Sequence, residues 1–337
     1  MRRNGSFFVA CGLVVVLGFA GMAAAADSSA GGSSGGSCPC AAGECGQACC
    51  QSSCGWCAGL EGTFLKATRD PSAIALNPAN VSVGDDAVIG IIPTNTPIDS
   101  RDFNSAYGVG ARGWLGYQNG DGWGIRGRFW DFGDSQDVSI INSEYLFANG
   151  TYALRAYTLD LEVTKDIEAG PWSFEGALGG RYARLEQDQT LMATSTSNTE
   201  SAFASRYIGG TGITGFLEAR RALGDSAWSV FANVRGSVLW GNDYGAAGGT
   251  INNLRDCENS ANGNTLCIFE TQIGVEWTHP LQGMVGTLFV RGAYEFQRWT
   301  AADNLGVNLN SGTAFHAAPQ SANVDFNGLT FAIGFRH

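Results

Sequence analysis

Residues 228–240 read Trp-Ser-Val-Phe-Ala-Asn-Val-Arg-Gly-Ser-Val-Leu-Trp, with apolar residues or glycine at every even position. Asn233, Arg235 and Ser237 occupy odd positions between them. Because side chains in a strand alternate between two faces, one face here is apolar and the other carries a guanidinium among small polar groups. A tilted membrane strand needs about 9–11 residues with aromatic residues at both interfaces. The stretch therefore predicts one strand of a transmembrane β-barrel.

Nine further segments show the same alternation, so the chain predicts an all-β, up-and-down antiparallel barrel of about ten strands. The ten segments are 56–68, 107–117, 123–133, 153–166, 172–185, 205–221, 228–241, 266–279, 286–299 and 324–337. Twelve strands are the alternative, if part of 81–92 or 138–148 joins the wall.

The connections between these segments alternate in length. Short turns are expected at 118–122, 167–171, 222–227 and 280–285, and long loops at 69–106, 134–152, 186–204, 242–265 and 300–323. Bacterial barrels have short periplasmic turns and long extracellular loops. The long loops hold most of the acidic excess, and we expect them to be solvated and mobile.

The composition agrees with a membrane barrel. The chain has 48 glycines, only 15% charged residues and a formal net charge of −11. Nucleic-acid binders need basic patches, so nucleic acid is not an expected partner. After the N-terminus, no apolar run reaches the roughly 18 residues of a transmembrane helix.

The N-terminus resembles an export signal. Residues 1–26 combine a basic start at Arg2 and Arg3, an apolar core and a small-residue cleavage region, which is typical of a signal peptide. Residues 27–55 form a Ser/Gly linker and a cysteine-rich segment, and residues 56–337 form the barrel domain. The predicted location is the outer membrane of the cell.

Seven cysteines cluster just before and at the start of the barrel: Cys38, Cys40, Cys45, Cys49, Cys50, Cys54 and Cys57. An odd number leaves one thiol over, which suggests a disulfide to another envelope protein or to a second copy. The C-x-x-C spacing of Cys54 and Cys57 leaves metal or redox chemistry open as less favoured alternatives. Cys257 and Cys267 are expected to close one long loop through a disulfide.

Tryptophans recur next to the short turns. These positions predict one aromatic girdle at the periplasmic interface, formed by Trp56, Trp123, Trp172, Trp228 and Trp277.

If the apolar phase of each strand faces lipid, the opposite phase faces the lumen. Charges that face lipid at the midplane would cost about 2–4 kcal/mol each, so this phase must be wet or internally paired. The predicted pore-lining residues are Arg112, Arg126, Arg128, Glu162, Glu175, Arg181, Arg235, Glu270, Arg291 and Glu295. They are either a structural ion-pair core or a constriction that filters small hydrophilic solutes.

The sequence favours no catalytic role. Its three histidines are His279, His316 and His337, and none lies at the centre of a lumen-facing strand. A hydrolytic triad or dyad needs a base within hydrogen-bond reach of its nucleophile or water. We expect no catalytic site, no metal site and no cofactor.

The last strand carries an assembly signal. Residues 328–335 alternate large apolar residues on one face and resemble the C-terminal strand that the barrel-assembly machinery recognises, although Arg336 and His337 follow the last phenylalanine. Outer-membrane lipid and this machinery are the expected partners.

Several stretches resemble the Legionella-type pore-forming major outer-membrane proteins, a family also numerous in planctomycetes. They are 60–66, 108–117, 157–162, 179–182 and 209–241. The resemblance implies an outer-membrane barrel described as pore-forming and supplies no catalytic residues. The cysteine cluster departs from the general pattern of the family.

Three functions follow as hypotheses. The first is a porin-like pore for small hydrophilic solutes. The second is a closed structural or adhesive barrel that is tethered in the envelope by its cysteine-rich segment. The third is a soluble secreted barrel whose apolar face points inward.

Overall fold

The computed structural model describes residues 55–69, 107–142, 146–194, 199–249, 257–281, 286–301, 309–311, 315–317 and 323–336. The predicted signal peptide and the cysteines from Cys38 to Cys54 lie outside the described residues, so those predictions stay predictions. The described residues contain no helix that is long and apolar enough to cross a membrane.

Twelve strands are present in the described part of the chain, and ten of them form the barrel. The strands are β1 (Gly55–Arg69), β2 (Tyr107–Gln118), β3 (Trp123–Asn142), β4 (Leu146–Ala169), β5 (Trp172–Thr194), β6 (Thr199–Ala222), β7 (Trp228–Gly249), β8 (Cys257–Pro280), β9 (Thr287–Ala301), β10 (Leu309–Ser311), β11 (Phe315–Ala317) and β12 (Val324–Arg336).

Each barrel strand pairs antiparallel with its neighbours in the chain, and β12 pairs with β1 to close the wall. Strands β10 and β11 form a separate two-stranded hairpin between β9 and β12. The predicted ten-stranded, up-and-down barrel is confirmed. Residues 138–142 and 146–148 extend the β3–β4 hairpin and add no strand to the wall, and 81–92 lies outside the described residues.

The strands differ in length. Strands β3 to β8 run for 20–24 residues, whereas β1, β2, β9 and β12 have 12–15. The loops expected at 134–152, 186–204 and 242–265 are therefore largely strand, and that expectation was wrong. Cross-strand pairing continues through polar sequence, as between Asp134 and Leu154, because the ladder hydrogen bonds join backbone groups whatever the side chains are.

The short turns appear where they were expected. The end of the barrel at which these turns lie is called the short-turn end below. The first residue of β1, Gly55, and the last residue of β12, Arg336, also lie at this end. In the first turn the side-chain oxygen of Asn119 accepts a hydrogen bond from the Trp123 amide at 2.9 Å. Gly122 has a φ of 78°, a conformation that other residues rarely adopt.

The outer face of the wall is apolar. Leu60, Leu161 and Ile273 are each at least 62% exposed. Val230 is 38% exposed, whereas Arg235, on the opposite phase of the same strand, is 2% exposed. An exposed apolar band around a whole protein is incompatible with water as the solvent. The hypothesis of a soluble barrel with an inward apolar face is therefore wrong.

The five tryptophans of the predicted girdle lie on this outer face at the short-turn end. Four of them are 38–58% exposed. The fifth, Trp277, pairs across the β7–β8 ladder with Trp228. The ring of Trp56 packs edge-on against Tyr117 at 5.3 Å between centroids. This placement suits a membrane interface, where the ring sits between acyl chains and water.

Candidate functional site in the barrel lumen

All ten charged residues that were predicted to line the lumen have side chains on its inner face, and each of them forms at least one ion pair there. Period-two alternation places them inward. That they line a conducting pore stays a prediction.

The first part of this ionic layer surrounds Arg112 on β2. Its guanidinium donates hydrogen bonds of 2.6 and 3.0 Å to Glu295 on β9 and also bonds to Glu61 on β1. Gln272 on β8 adds a hydrogen bond of 2.9 Å to Glu295. The four groups fill one side of the lumen at mid-height.

The second part joins the opposite wall. Arg181 binds Asp160 through two hydrogen bonds of 2.7 and 2.8 Å and also bonds to Glu270. Arg235 on β7 donates a hydrogen bond to Glu162 on β4. Arg126 donates to the same Glu162 at 2.9 and 3.1 Å and to Glu175.

A third group lies nearer to the short-turn end. Arg291 donates to Glu218 at 3.0 and 3.1 Å and to Glu276 at 2.5 Å. Arg336 also binds Glu276, at 2.9 and 3.0 Å. A position inside the lumen was not predicted for Arg336, which was noted only because it follows the last phenylalanine of the assembly signal. Its even position on β12, in phase with the inward Phe326 and Thr330, is the signal that could have placed it inside.

An apolar layer follows the ionic layer toward the long-loop end. Trp130, Phe132, Trp299 and Phe326 are each at most 2% exposed. The centroid of Phe326 lies 5.1 Å from that of Phe132 and 5.8 Å from that of Trp130. Trp130 and Trp299 are 6.0 Å apart. These rings come from β3, β9 and β12 and cross the lumen.

This aromatic layer was not predicted, although the alternation of residues along the strands places its side chains on the inner face. Trp130 and Phe132 continue the even positions of β3 that hold Arg126 and Arg128, and Trp299 continues the odd positions of β9 that hold Glu295. Beyond the layer, Arg206 binds Asp243 at 2.6 and 3.0 Å, and Asn264 binds Asp243 at 3.0 Å. This second polar cluster was also missed.

The lumen contains a pocket, called the vestibule below, that is lined by the ionic layer and extends toward the short-turn end. Cys57, Arg126, Glu175 and Arg336 line it near the short turns, and Arg112 and Gln272 line it near mid-height. The vestibule thus extends from mid-height of the barrel toward the short turns.

The cysteines fall into two groups in the structure. Cys57 is a free thiol on β1 whose side chain lines the vestibule. One member of the seven-cysteine cluster is thus built into the wall, and the other six lie outside the described residues.

Cys257 and Cys267 lie ten residues apart on the single strand β8. Extended backbone of this length separates the two Cα atoms by about 33 Å, whereas a disulfide needs about 4.4–6.8 Å. The predicted bridge between them is not compatible with this strand.

The described side chains give no catalytic grouping that includes a histidine. His279 stacks on Trp277 at 5.5 Å on the outward phase of β8, away from the lumen carboxylates. Among the described residues, no three His, Cys, Asp or Glu side chains are placed to hold a metal ion.

Residues 48–336 match the family described as Legionella pneumophila major outer membrane protein precursor. The chain belongs to this family. The match spans the whole barrel, so the resemblance drawn from the sequence is confirmed, and the protein is an outer-membrane β-barrel. No curated relative matches the chain.

Several solved structures match the chain at low identity. The outer membrane protease OmpT of Escherichia coli is 7% identical, with 84% of this chain and 96% of that chain covered and a TM-score of 0.43. A major outer membrane protein of Thermus thermophilus is 10% identical over 84% and 99%, with a TM-score of 0.31. The toluene transporter TodX of Pseudomonas putida is 8% identical over 84% and 89%, with a TM-score of 0.35. Scores at this level carry no information about the lumen.

Proposed function

We propose that this family member is a closed structural barrel, which anchors the long β3–β8 hairpins in the outer membrane and presents them outside the cell. The supporting observation is the pair of layers that cross the lumen. A hydrophilic solute on a path through the barrel would have to break buried ion pairs and then pass four aromatic rings that are at most 2% exposed.

The size of the barrel supports the same proposal. Eight strands enclose about enough room for side chains, and sixteen to eighteen leave an aqueous channel. Ten strands filled by large arginine, glutamate and tryptophan side chains are close to the filled limit. The test is the conductance of the purified protein in planar bilayers, for which we expect the value of a lipid control.

The vestibule favours a second candidate, a narrow pore for small hydrophilic solutes. A pocket with charged walls already occupies the part of the path on the short-turn side. Conduction would then require the aromatic layer to move aside. Conductance above the lipid control that is altered by Arg126→Ala would support this pore over the closed barrel.

We propose that the cysteine-rich segment tethers the barrel to other components of the envelope. It precedes Gly55, whose partner Gln118 adjoins the first short turn, so it leaves the barrel on the periplasmic side. We expect it to form disulfides with other envelope proteins or with a second copy. The barrel-assembly machinery and outer-membrane lipid remain the other expected partners.

The proposal includes no catalytic role. The lumen carboxylates are held in ion pairs with arginines, as Glu276 is with Arg291 and Arg336. A carboxylate so bound is poorly suited to act as a general base.

A further inference from the structure

The walls of the vestibule carry more cations than anions. Six arginines and four glutamates line it. The carboxylates of Asp160, Glu162, Glu276 and Glu295 complete the ion pairs from behind this surface. The arginines are Arg112, Arg126, Arg128, Arg235, Arg291 and Arg336.

The unsatisfied hydrogen-bonding capacity of this wall consists of donors. Arg112 Nε, Arg128 Nη1 and Arg235 Nε are buried without a hydrogen-bond partner. No carboxylate oxygen of the described vestibule wall is in the same state. Buried donors without an acceptor cost about 1–3 kcal/mol each, and more when they are charged. The wall therefore needs acceptors.

Arg128 is the most weakly bound of these arginines. Its nearest carboxylate oxygens are those of Glu270 at 3.4 Å and Asp160 at 3.9 Å. Both carboxylates are held more closely by Arg181. The guanidinium of Arg128 thus lines the vestibule with little local compensation of its charge.

Aromatic rings hold the other arginines of the vestibule in place. The guanidinium carbons of Arg126 and Arg235 lie 5.0 and 4.7 Å from the ring centroid of Phe216. Those of Arg291 and Arg336 lie 5.3 and 4.5 Å from Phe289. Stacked guanidinium groups have few alternative orientations, so the donors are arranged before any ligand arrives.

We infer that the vestibule is a binding site for a small oxyanion, of the carboxylate or phosphate type, with Arg128 as its principal ligand. A planar guanidinium donates two parallel hydrogen bonds to such a group, and an anion supplies the acceptors that the wall lacks. Cys57, Glu175 and Arg336 line the vestibule near the short turns, which are expected on the periplasmic side, so we expect its ligand to be a periplasmic solute. This inference holds for a closed barrel and for a pore alike.

The test is isothermal titration calorimetry of the full-length, detergent-solubilised barrel with succinate, inorganic phosphate and the neutral succinamide. We expect an oxyanion to bind, succinamide not to bind, and Arg128→Gln to weaken anion binding at least tenfold. Arg155→Gln is the matched control, because this arginine is on the outer wall with 61% of its side chain exposed. Absence of anion binding, or equal affinity of wild type and a folded Arg128→Gln variant, would overturn the inference and leave water as the acceptor.

A second measurement uses the wild-type fold. A negatively charged methanethiosulfonate reagent forms a mixed disulfide with Cys57, releases methanesulfinate and places a sulfonate in the vestibule. Anion binding should then be lost, and Cys57→Ser should keep its binding after the same treatment. If Cys57 is labelled quantitatively and binding is unchanged, the ligand is bound elsewhere and the site is refuted.

Discussion

Arg112 and Glu295 join β2 to β9 across the lumen through hydrogen bonds of 2.6 and 3.0 Å, although β1 and β12 separate these two strands in the wall. The pair therefore ties separate parts of the sheet together in a way that ladder hydrogen bonds cannot. Both side chains are at most 2% exposed. A buried charge that loses its partner is strongly destabilising, so this bond has a measurable consequence.

Arg112→Met should lower the free energy of unfolding by about 3–5 kcal/mol, because it leaves Glu61 and Glu295 buried without their shared cation. Urea unfolding in lipid vesicles, followed by the heat-dependent shift in electrophoretic mobility, measures this loss. Asp131→Asn is the control. It breaks the exposed pair with Arg155, whose side chains are 61% and 49% exposed, and should cost at most about 1 kcal/mol. Equal losses for both variants would contradict a special role of the lumen network.

The aromatic layer leads to the second prediction. Trp130→Ala should lower the free energy of unfolding by about 3–5 kcal/mol and should also open a path through the lumen. In planar bilayers, wild type should match the lipid control, and Trp130→Ala should show discrete conductance steps. Trp240→Ala on the outer face, where this ring is 48% exposed, should stay silent. Conductance of wild type above the lipid control and equal to that of Trp130→Ala would remove the closed-barrel proposal, whereas silence of both proteins would show that Trp130 does not block the path.

The third prediction concerns how the cost of an arginine on the outer face of β4 depends on its depth in the membrane. Leu161→Arg should cost about 2–4 kcal/mol, because Leu161 is 62% exposed on the outer face near mid-height of the barrel. Asn149→Arg lies on the same phase of β4, twelve residues nearer to the long-loop end, and should cost almost nothing. Unfolding in vesicles measures both. Similar costs would place the membrane band at a different height on the wall.

The alternation of residues in each strand was enough to predict the strand count, the outer face and the charged inner face. Arg235 and Val230 lie on opposite faces of β7 for no other reason than odd and even position. The same rule places Trp130 inside, yet only charged residues of the inward phase were predicted to line the lumen. Polar composition also misled the prediction of loops, because the hairpin from Asp134 to Leu154 keeps its ladder where the wall has no lipid to face.

The partners of the inward charges could not be predicted from the sequence. Arg112 and Glu295 are 183 residues apart, and their meeting depends on strand tilt and on the stagger between successive strands. Those quantities are properties of the closed barrel as a whole. Sequence phase therefore predicts that a side chain is inside, whereas the geometry of closure determines which groups it contacts.

The cysteines give the last prediction, on the tether. Because the Cys57 side chain lines the vestibule, we expect the tether to be formed by the six cysteines from Cys38 to Cys54. Non-reducing gels of cell envelopes should show high-molecular-weight species that collapse with reductant and disappear when these six are changed to serine. Cys57→Ser is the matched control and should leave the species unaltered. If the six-serine variant keeps those species and Cys57→Ser loses them, Cys57 must be reachable by a partner chain, and the tether would be formed at the mouth of the vestibule.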